Sequence, residues 1–224
     1  MRLDFDSFVL AAATAELSDE PAAREHADAI EFRMDLADEP VAALEVYDGE
    51  LPILATNRAD WEGGDAADDG RLETLAEATA HDAVAAIDVE FESILEGEAK
   101  ELLETARDRD VSVVASAHDF EGTPPRNEMV RLLTEAGKYA DVAKLAVTAD
   151  SKSETLALLS ATEQLTAHGD TVATMAMGDV GSHTRAVAPV YGSKIGYAPV
   201  DPAEATAPGQ YDLETLAGLV ARLE

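Results

Sequence analysis

The sequence contains no cysteine, which excludes disulfide bonds, thiolate nucleophiles and thiolate metal ligands. Basic residues are also scarce, since 16 Lys and Arg stand against 46 Asp and Glu and the formal net charge is −30. A chain this acidic cannot assemble the basic patch that binding to nucleic acid or to an acidic membrane requires. The acidic residues are spread along helix-like segments, which predicts a protein adapted to high salt, where its anionic surface is screened.

Long apolar runs are missing as well. The N-terminal segment is acidic, and the apolar stretch that follows it, residues 9–15, is too short to cross a membrane and resembles no cleavable signal. We therefore predict a cytoplasmic protein that does not bind membranes. No linker rich in Pro, Gly or Ser divides the 224 residues, so we expect a single domain, residues 1–224, with a substantial core.

Short apolar runs alternate along the chain with longer, acid-rich segments of helical period. The predicted strands are residues 8–13, 29–35, 53–58, 86–91, 112–118, 142–147, 172–178 and 188–197. The predicted helices are residues 20–27, 40–46, 72–84, 97–108, 126–139, 153–168 and, after Asp212 as N-cap, 213–223. About eight successive β/α units predict a (β/α)8 barrel. An open doubly wound sheet is the alternative, but the sequence has no Gly-rich phosphate loop.

The sixth predicted strand has a lysine, Lys144, in the middle of an apolar run. A buried ammonium is costly unless it is paired or neutralised. In one interpretation the lysine stem crosses apolar surface and the head reaches a carboxylate or solvent. In the other interpretation, apolar neighbours and nearby cations lower the pKa of the amine toward ~7–8, so that the neutral amine can attack a ketone.

Polar residues at the predicted strand ends favour the catalytic interpretation. Strand side chains alternate between faces, so Glu31 shares a face with Arg33, and Asp88 shares one with Glu90. His118 ends the fifth strand. Each feature alone has a structural alternative, either an ion-pair layer at the barrel mouth or a loop histidine with local hydrogen bonds. Together they place charged groups, a lysine and a histidine at the end of the barrel where chemistry occurs.

The residue types indicate imine chemistry. An iminium acidifies the adjacent carbon, and a histidine suits removal of that proton and its return to a leaving hydroxyl. Three arginines suit a carboxylate and hydroxyls through forked hydrogen bonds: Arg33, Arg58 and Arg185. Three carboxylates suit hydroxyls or orientation of the histidine: Glu31, Glu62 and Glu90. The remaining helical histidines are isolated and no H-E-x-x-H occurs, so we expect no metal and no cofactor.

An ordered set of short motifs resembles one enzyme family. The set is Glu31-x-Arg33-x-Asp35, Arg58-x-x-x-Glu62-Gly-Gly64, Asp88-x-Glu90, Ser116-x-His118-Asp-Phe120, Lys144, Met175-x-Met177-Gly178, Arg185, Gly192-Ser193 and Ala207-Pro-Gly-Gln210. Each motif is weak alone, but their order over residues 8–210 is similar to that of type I 3-dehydroquinate dehydratase, a Schiff-base enzyme of the shikimate pathway.

The resemblance implies a (β/α)8 barrel, often a homodimer, that dehydrates 3-dehydroquinate to 3-dehydroshikimate without a cofactor. It implies that Lys144 is the Schiff-base lysine, His118 the general acid–base and Glu62 the acid that pairs with this histidine. The substrate-binding positions that it implies are Glu31, Arg33, Arg58, Arg185, Thr206 and Gln210, with Arg185 on the substrate carboxylate.

The sequence departs from the family pattern at several positions. Thr206 replaces a usual serine but keeps the hydroxyl. Thr184 keeps a hydroxyl directly before Arg185, with His183 as a bystander. Lys194 stands where the family often has a small or uncharged residue, either as an electrostatic neighbour of the site or as a solvated loop lysine. Little chain precedes the first strand, so we expect side chains to close the barrel floor. Residues 199–208 form a candidate lid.

Two other functions use the same features. A different lysine-dependent barrel enzyme, such as an aldolase, would bind a phosphate after the seventh and eighth strands. Arg185 and Ala207-Pro-Gly-Gln210 suit a carboxylate and hydroxyls better. A scaffold protein that keeps only the barrel would have no need for Lys144, His118 and Glu62 together.

Overall fold

Eight parallel strands form the centre of the protein. The computed structural model describes residues 3–201, 203 and 207–223. The strands are β1 (Val9–Thr14), β2 (Ala29–Arg33), β3 (Ile53–Thr56), β4 (Val84–Glu90), β5 (Ser112–Asp119), β6 (Val142–Thr148), β7 (Val172–Met177) and β8 (Ile195–Pro199). Parallel ladders join them in the order β7-β6-β5-β4-β3-β2-β1-β8.

The two end strands of this order, β7 and β8, are joined at their N-terminal ends. The Lys194 N–H donates to the Val172 carbonyl at 2.8 Å, and the Thr174 N–H donates to Ser193 Oγ at 2.9 Å. These bonds bring the last strand back to the rest of the sheet. The architecture is the (β/α)8 barrel that the sequence predicts.

The helices follow the strands. They are α1 (Glu20–Ala23), α2 (Pro40–Glu45), α3 (Arg71–Ala78), α4 (Phe91–Glu96), α5 (Lys100–Asp108), α6 (Arg126–Ala136), α7 (Lys152–Ala167), α8 (Thr184–Val187) and α9 (Leu213–Leu223). The predicted N-cap of the last helix is present, because the Asp212 carboxylate accepts the Thr215 N–H at 2.9 Å. In the described part of the chain, no helix has the length and apolar character needed to traverse a bilayer.

The predicted eighth strand, residues 188–197, begins too early. A 3-10 helix, Ala188–Tyr191, which follows α8 directly, occupies the first part of this region, and the strand starts only at Ile195. Pro189 lies at the start of the 3-10 helix, where its missing N–H is not needed. Phe91, predicted as the end of the fourth strand, instead begins the helix α4.

Buried apolar side chains form one layer between strands and helices and a second group inside the barrel. The inner group includes Leu3 and Phe5, packed with Val9 and with small residues such as Ala11 and Ala29. Side chains from the segment before β1 therefore contribute to the barrel floor, as expected.

Lys194 lies at this N-terminal end of the barrel. Its Nζ donates to the Asp6 carbonyl at 2.5 Å, and the contact is exposed. Because the charged strand ends lie at the opposite end, Lys194 is not an electrostatic neighbour of the site. The alternative, a solvated loop lysine, describes it correctly.

Candidate active site

Lys144 lies in the middle of β6 with 4% of its surface exposed. Its Nζ donates to Asp88 Oδ2 at 3.0 Å and lies 4.5 Å from the centroid of the Tyr197 ring. The expectation of apolar and cationic neighbours was incomplete, because the direct partner of the amine is a carboxylate. The lysine head reaches a carboxylate, as in the structural interpretation, but it also lines the pocket described below.

Asp88 connects this lysine to a second cation. Arg58 Nη2 donates to Asp88 Oδ1 at 2.6 Å, and Ser116 Oγ donates to the same oxygen at 2.5 Å. Burial alone would raise the pKa of Asp88, but the positive charges of Arg58 and Lys144 outweigh it and hold the pKa well below its usual range. The carboxylate is therefore a permanent anion at the centre of the barrel.

His118 and Glu62 form a pair at the end of β5. The His118 backbone N–H donates to Glu62 Oε1 at 2.7 Å, and His118 Nδ1 lies 3.2 Å from the same oxygen. An ionised carboxylate only accepts hydrogen bonds, so Nδ1 carries the proton and Nε2 keeps its lone pair. Burial, together with the charges of Arg58 and Lys144, lowers the pKa of His118 well below its usual value. The imidazole is therefore a neutral base at neutral pH.

The loop after β3 holds Glu62 in this place. Glu62 ends a 3-10 helix, Asp60–Glu62, and Gly63 follows with φ of 79°. A Cβ on Gly63 would lie 2.5 Å from Phe120 Cζ, and the Phe120 ring stacks on His118 with centroids 5.7 Å apart. The glycine after Glu62 thus supplies a left-handed conformation and leaves room for the aromatic ring beside the histidine. Burial raises the pKa of Glu62.

Arg71, at the start of α3, is a buried cation that the sequence analysis missed. Its Nη1 donates to Glu90 Oε2 at 2.5 Å, its Nη2 donates to Ser93 Oγ at 2.7 Å, and its guanidinium lies 5.6 Å from the Trp61 ring centroid. Glu90 also accepts from Arg58 at 2.9 Å. The sequence offered one signal for this residue. Arg71 is a cation at the start of a helix, where the helix dipole disfavours a positive charge.

Two predicted binding residues sit on β2. Arg33 makes a forked ion pair with Asp35, with Nε–Oδ1 and Nη2–Oδ2 distances of 2.9 and 2.6 Å. Glu31 Oε1 accepts from Thr56 Oγ1 at 3.1 Å. Both side chains are buried and both line the pocket.

Arg185, in α8, is 4% exposed, and its Nε has no hydrogen-bond partner within the described residues. Burial lowers the pKa of Arg185 to about 10, and Tyr211 opposes this effect. Among the described residues no carboxylate forms an ion pair with Arg185, so its guanidinium is suited to bind an anion. The neighbouring His183 is exposed and hydrogen-bonds the Val180 carbonyl, as a bystander would.

The segment after β8 reaches the same mouth. The Gly178 N–H, at the end of β7, donates to the Pro208 carbonyl at 3.1 Å, and the Ala207 N–H donates to Gln210 Oε1 at 3.2 Å. These contacts place Gln210 at the pocket. Thr206 lies outside the residues that the structure describes.

One pocket at the C-terminal ends of the strands brings these groups together. Its lining includes Glu31, Arg33, Thr56, Arg58, Glu62, His118, Phe120, Lys144, Met175, Met177, Arg185, Tyr197 and Gln210. Apart from Thr206, every residue to which the resemblance assigns a role lines this pocket. The candidate carboxylate Glu90 does not line it and instead pairs with Arg58 and Arg71. Within residues 3–201, 203 and 207–223, no group of three or more histidines and carboxylates has the arrangement of a metal site.

Comparison with known proteins shows which family the chain belongs to. A family model described as type I 3-dehydroquinase matches residues 8–222. The chain belongs to the type I 3-dehydroquinase family. It is 58% identical to 3-dehydroquinate dehydratase of Haloarcula marismortui over 227 residues, 99% of each protein. It is 53% identical to 3-dehydroquinate dehydratase of Halobacterium salinarum over 226 residues, 99% of this chain and 100% of that one.

The fold agrees with this type I 3-dehydroquinase assignment. The crystal structure of 3-dehydroquinate dehydratase from Geobacillus kaustophilus aligns with a TM-score of 0.86 and 25% identity, covering 97% of this chain and 91% of that one. Family membership makes the chain a lyase of the shikimate pathway. The similarity to enzymes of halophilic archaea agrees with the predicted adaptation to high salt.

Proposed function

We propose that the chain dehydrates 3-dehydroquinate to 3-dehydroshikimate through an imine on Lys144, with His118 as the general acid–base. The observation that carries the proposal is one pocket containing an amine, a neutral imidazole and a buried arginine whose Nε has no hydrogen-bond partner among the described residues. These groups match the ketone, the acidic C–H bond and the carboxylate of this substrate. The relatives at 58% and 53% identity bear the name of this activity.

Imine formation begins with loss of a proton from the Lys144 ammonium. The nitrogen lone pair then forms a bond to the ketone carbon, and the ketone oxygen takes up that proton and a second one from the same nitrogen and leaves as water. The product is an iminium that keeps a positive charge close to the position of Nζ. Asp88, 3.0 Å from that atom, stabilises this charge as a preorganised anion.

His118 carries the proton through the elimination. Its Nε2 takes the proton from the carbon next to the iminium carbon, and the electron pair of the C–H bond forms a neutral enamine. The enamine returns this pair, the bond to the β-hydroxyl breaks, and the imidazolium protonates the leaving oxygen. Water then hydrolyses the conjugated iminium, which releases the product ketone and restores the Lys144 ammonium. One water is released overall.

The remaining pocket residues orient the substrate. Arg185 binds the carboxylate through its guanidinium, and Arg33, Arg58, Glu31 and Gln210 bind hydroxyls. The role of Thr206, the closing of residues 199–208 over the substrate, the single domain of residues 1–224, the homodimer and the cytoplasmic location stay predictions.

An absorbance assay tests the proposed function. The purified chain is incubated in high salt with 3-dehydroquinate, and the conjugated double bond of the product is followed in the ultraviolet. We expect turnover by the wild type and by Arg107→Met, a variant at an exposed arginine of α5. We expect none by Lys144→Ala. A folded wild type that leaves the substrate unchanged would overturn the proposal.

A further inference from the structure

Within the described residues, two buried polar side-chain atoms have no hydrogen-bond partner: Arg185 Nε and the Tyr197 hydroxyl. Both residues line the same pocket. A buried polar group without a partner is destabilising, so its retention indicates a partner that arrives with a ligand. The substrate carboxylate accounts for the arginine, whereas nothing in the proposed function accounts for the phenol.

Tyr197 lies in β8, beside Ala11 of β1, and is 4% exposed. Lys144 Nζ is 4.5 Å from its ring centroid and 3.0 Å from Asp88 Oδ2. The amine is therefore held by both a carboxylate and an aromatic face. An aromatic face attracts a buried cation more strongly than an exposed one. The attraction acts on the ammonium of Lys144 and equally on a protonated imine.

The hydroxyl of Tyr197 keeps its proton at neutral pH and can donate a hydrogen bond. Burial and the negative charges of Asp88 and Glu31 raise the pKa of Tyr197 well above its usual value. The buried, neutral phenol has one proton to donate. The partner that satisfies it must bring an oxygen atom into the pocket.

We propose that Tyr197 is a specificity-determining residue, whose hydroxyl donates a hydrogen bond to an oxygen of the substrate while its ring positions the Lys144 amine. The inference rests on the proposed function. It predicts preference for a hydroxylated cyclic ketone over an analogue without that oxygen, because an unsatisfied phenol would then remain buried.

Two substitutions separate the hydroxyl from the ring. Tyr197→Phe keeps the ring and removes the donor, whereas Tyr197→Leu removes both. Tyr191→Phe, at an exposed tyrosine, is the matched control. We expect Tyr197→Phe to raise the KM for 3-dehydroquinate roughly three- to tenfold, as loss of one hydrogen bond does, with kcat and the rate of borohydride-trapped adduct close to wild type. We expect Tyr197→Leu to show the same KM change and a clearly slower adduct rate than Tyr197→Phe.

Each part of the inference has its own contradictory result. An unchanged KM in Tyr197→Phe, with an active wild type, overturns the hydroxyl contact. Equal adduct rates in Tyr197→Leu and Tyr197→Phe overturn the positioning role of the ring. If Tyr197→Leu does not fold, Tyr197→Met replaces it, because it also removes the aromatic face, and its adduct rate is compared with that of Tyr197→Phe in the same way. An inactive wild type overturns the proposed function as well, so the two failures are distinguishable.

Discussion

Lys144 and Asp88 form an ion pair inside the barrel, with Nζ 3.0 Å from Oδ2. The other oxygen of this carboxylate accepts from Arg58 and Ser116, so one anion is shared between two buried cations. Removing one partner of such an arrangement lowers the free energy of unfolding by more than the intact arrangement adds to it, because the remaining charges stay buried without compensation.

Asp88→Asn removes the negative charge that Lys144 and Arg58 share, and both cations stay buried. We expect a loss of about 3–5 kcal/mol in the free energy of unfolding, as for removal of one partner of a buried pair. Denaturant titration in high salt measures it. Asp69→Asn, at an exposed aspartate, is the control. Equal stability of the two variants would show that Asp88 is not needed to balance these cations.

His118 should remain neutral to lower pH than an ordinary histidine. Burial, Arg58 and Lys144 lower its pKa in the folded protein, so the unfolded chain binds more protons below pH ~6.5. Stability therefore falls as the pH decreases below that value, and His118 contributes no pH dependence above it. Titration of the ring protons by NMR tests this, with His118→Gln to assign the signal. A midpoint at or above the ordinary value would contradict it.

Glu62→Gln should slow the reaction while leaving substrate binding nearly unchanged. Glu62 accepts both the backbone N–H of His118 and its Nδ1–H, and in the proposed mechanism its charge stabilises the imidazolium that forms during elimination. We expect kcat to fall by less than the roughly 10²–10⁴-fold contributed by a general acid–base group. Steady-state kinetics measures this, with the exposed Glu98→Gln as control. A raised KM with unchanged kcat would assign Glu62 to substrate binding instead.

Arg71→Met should destabilise the protein although Arg71 does not line the pocket. The variant leaves Glu90 with Arg58 as its remaining cation and removes the contact with Trp61. The expected loss in the free energy of unfolding is about 3–5 kcal/mol. The exposed Arg107→Met is the control in the same denaturation series. A stability equal to that of the control would mean that Glu90 is satisfied without Arg71.

The regular elements could be predicted because local pattern and tertiary environment agree. The last helix has the predicted bounds, Leu213–Leu223, since its N-cap and apolar spacing both mark them. The start of the eighth strand was misplaced because Val190 and Tyr191 favour β-structure locally, whereas residues 188–191 form a 3-10 helix before the strand begins at Ile195.

The contacts between distant residues could not be predicted in the same way. Strand alternation placed Asp88 on a polar face, but only the barrel brings it to Lys144, 56 positions later in the sequence. Tyr197 was one aromatic residue in an apolar strand, and its relation to the amine depends on closure of the sheet beside β1. Arg71 was hidden for the same reason, because its partner Glu90 lies on a different element.

Mass spectrometry of a borohydride-reduced reaction tests the imine most directly. The protein is incubated with 3-dehydroquinate and borohydride in high salt, digested, and compared with Lys144→Ala treated in the same way. We expect a stable adduct on the peptide containing Lys144 in the wild type and none in the variant. A folded wild type that turns over the substrate but forms no adduct, or an adduct that persists in Lys144→Ala, would contradict the mechanism.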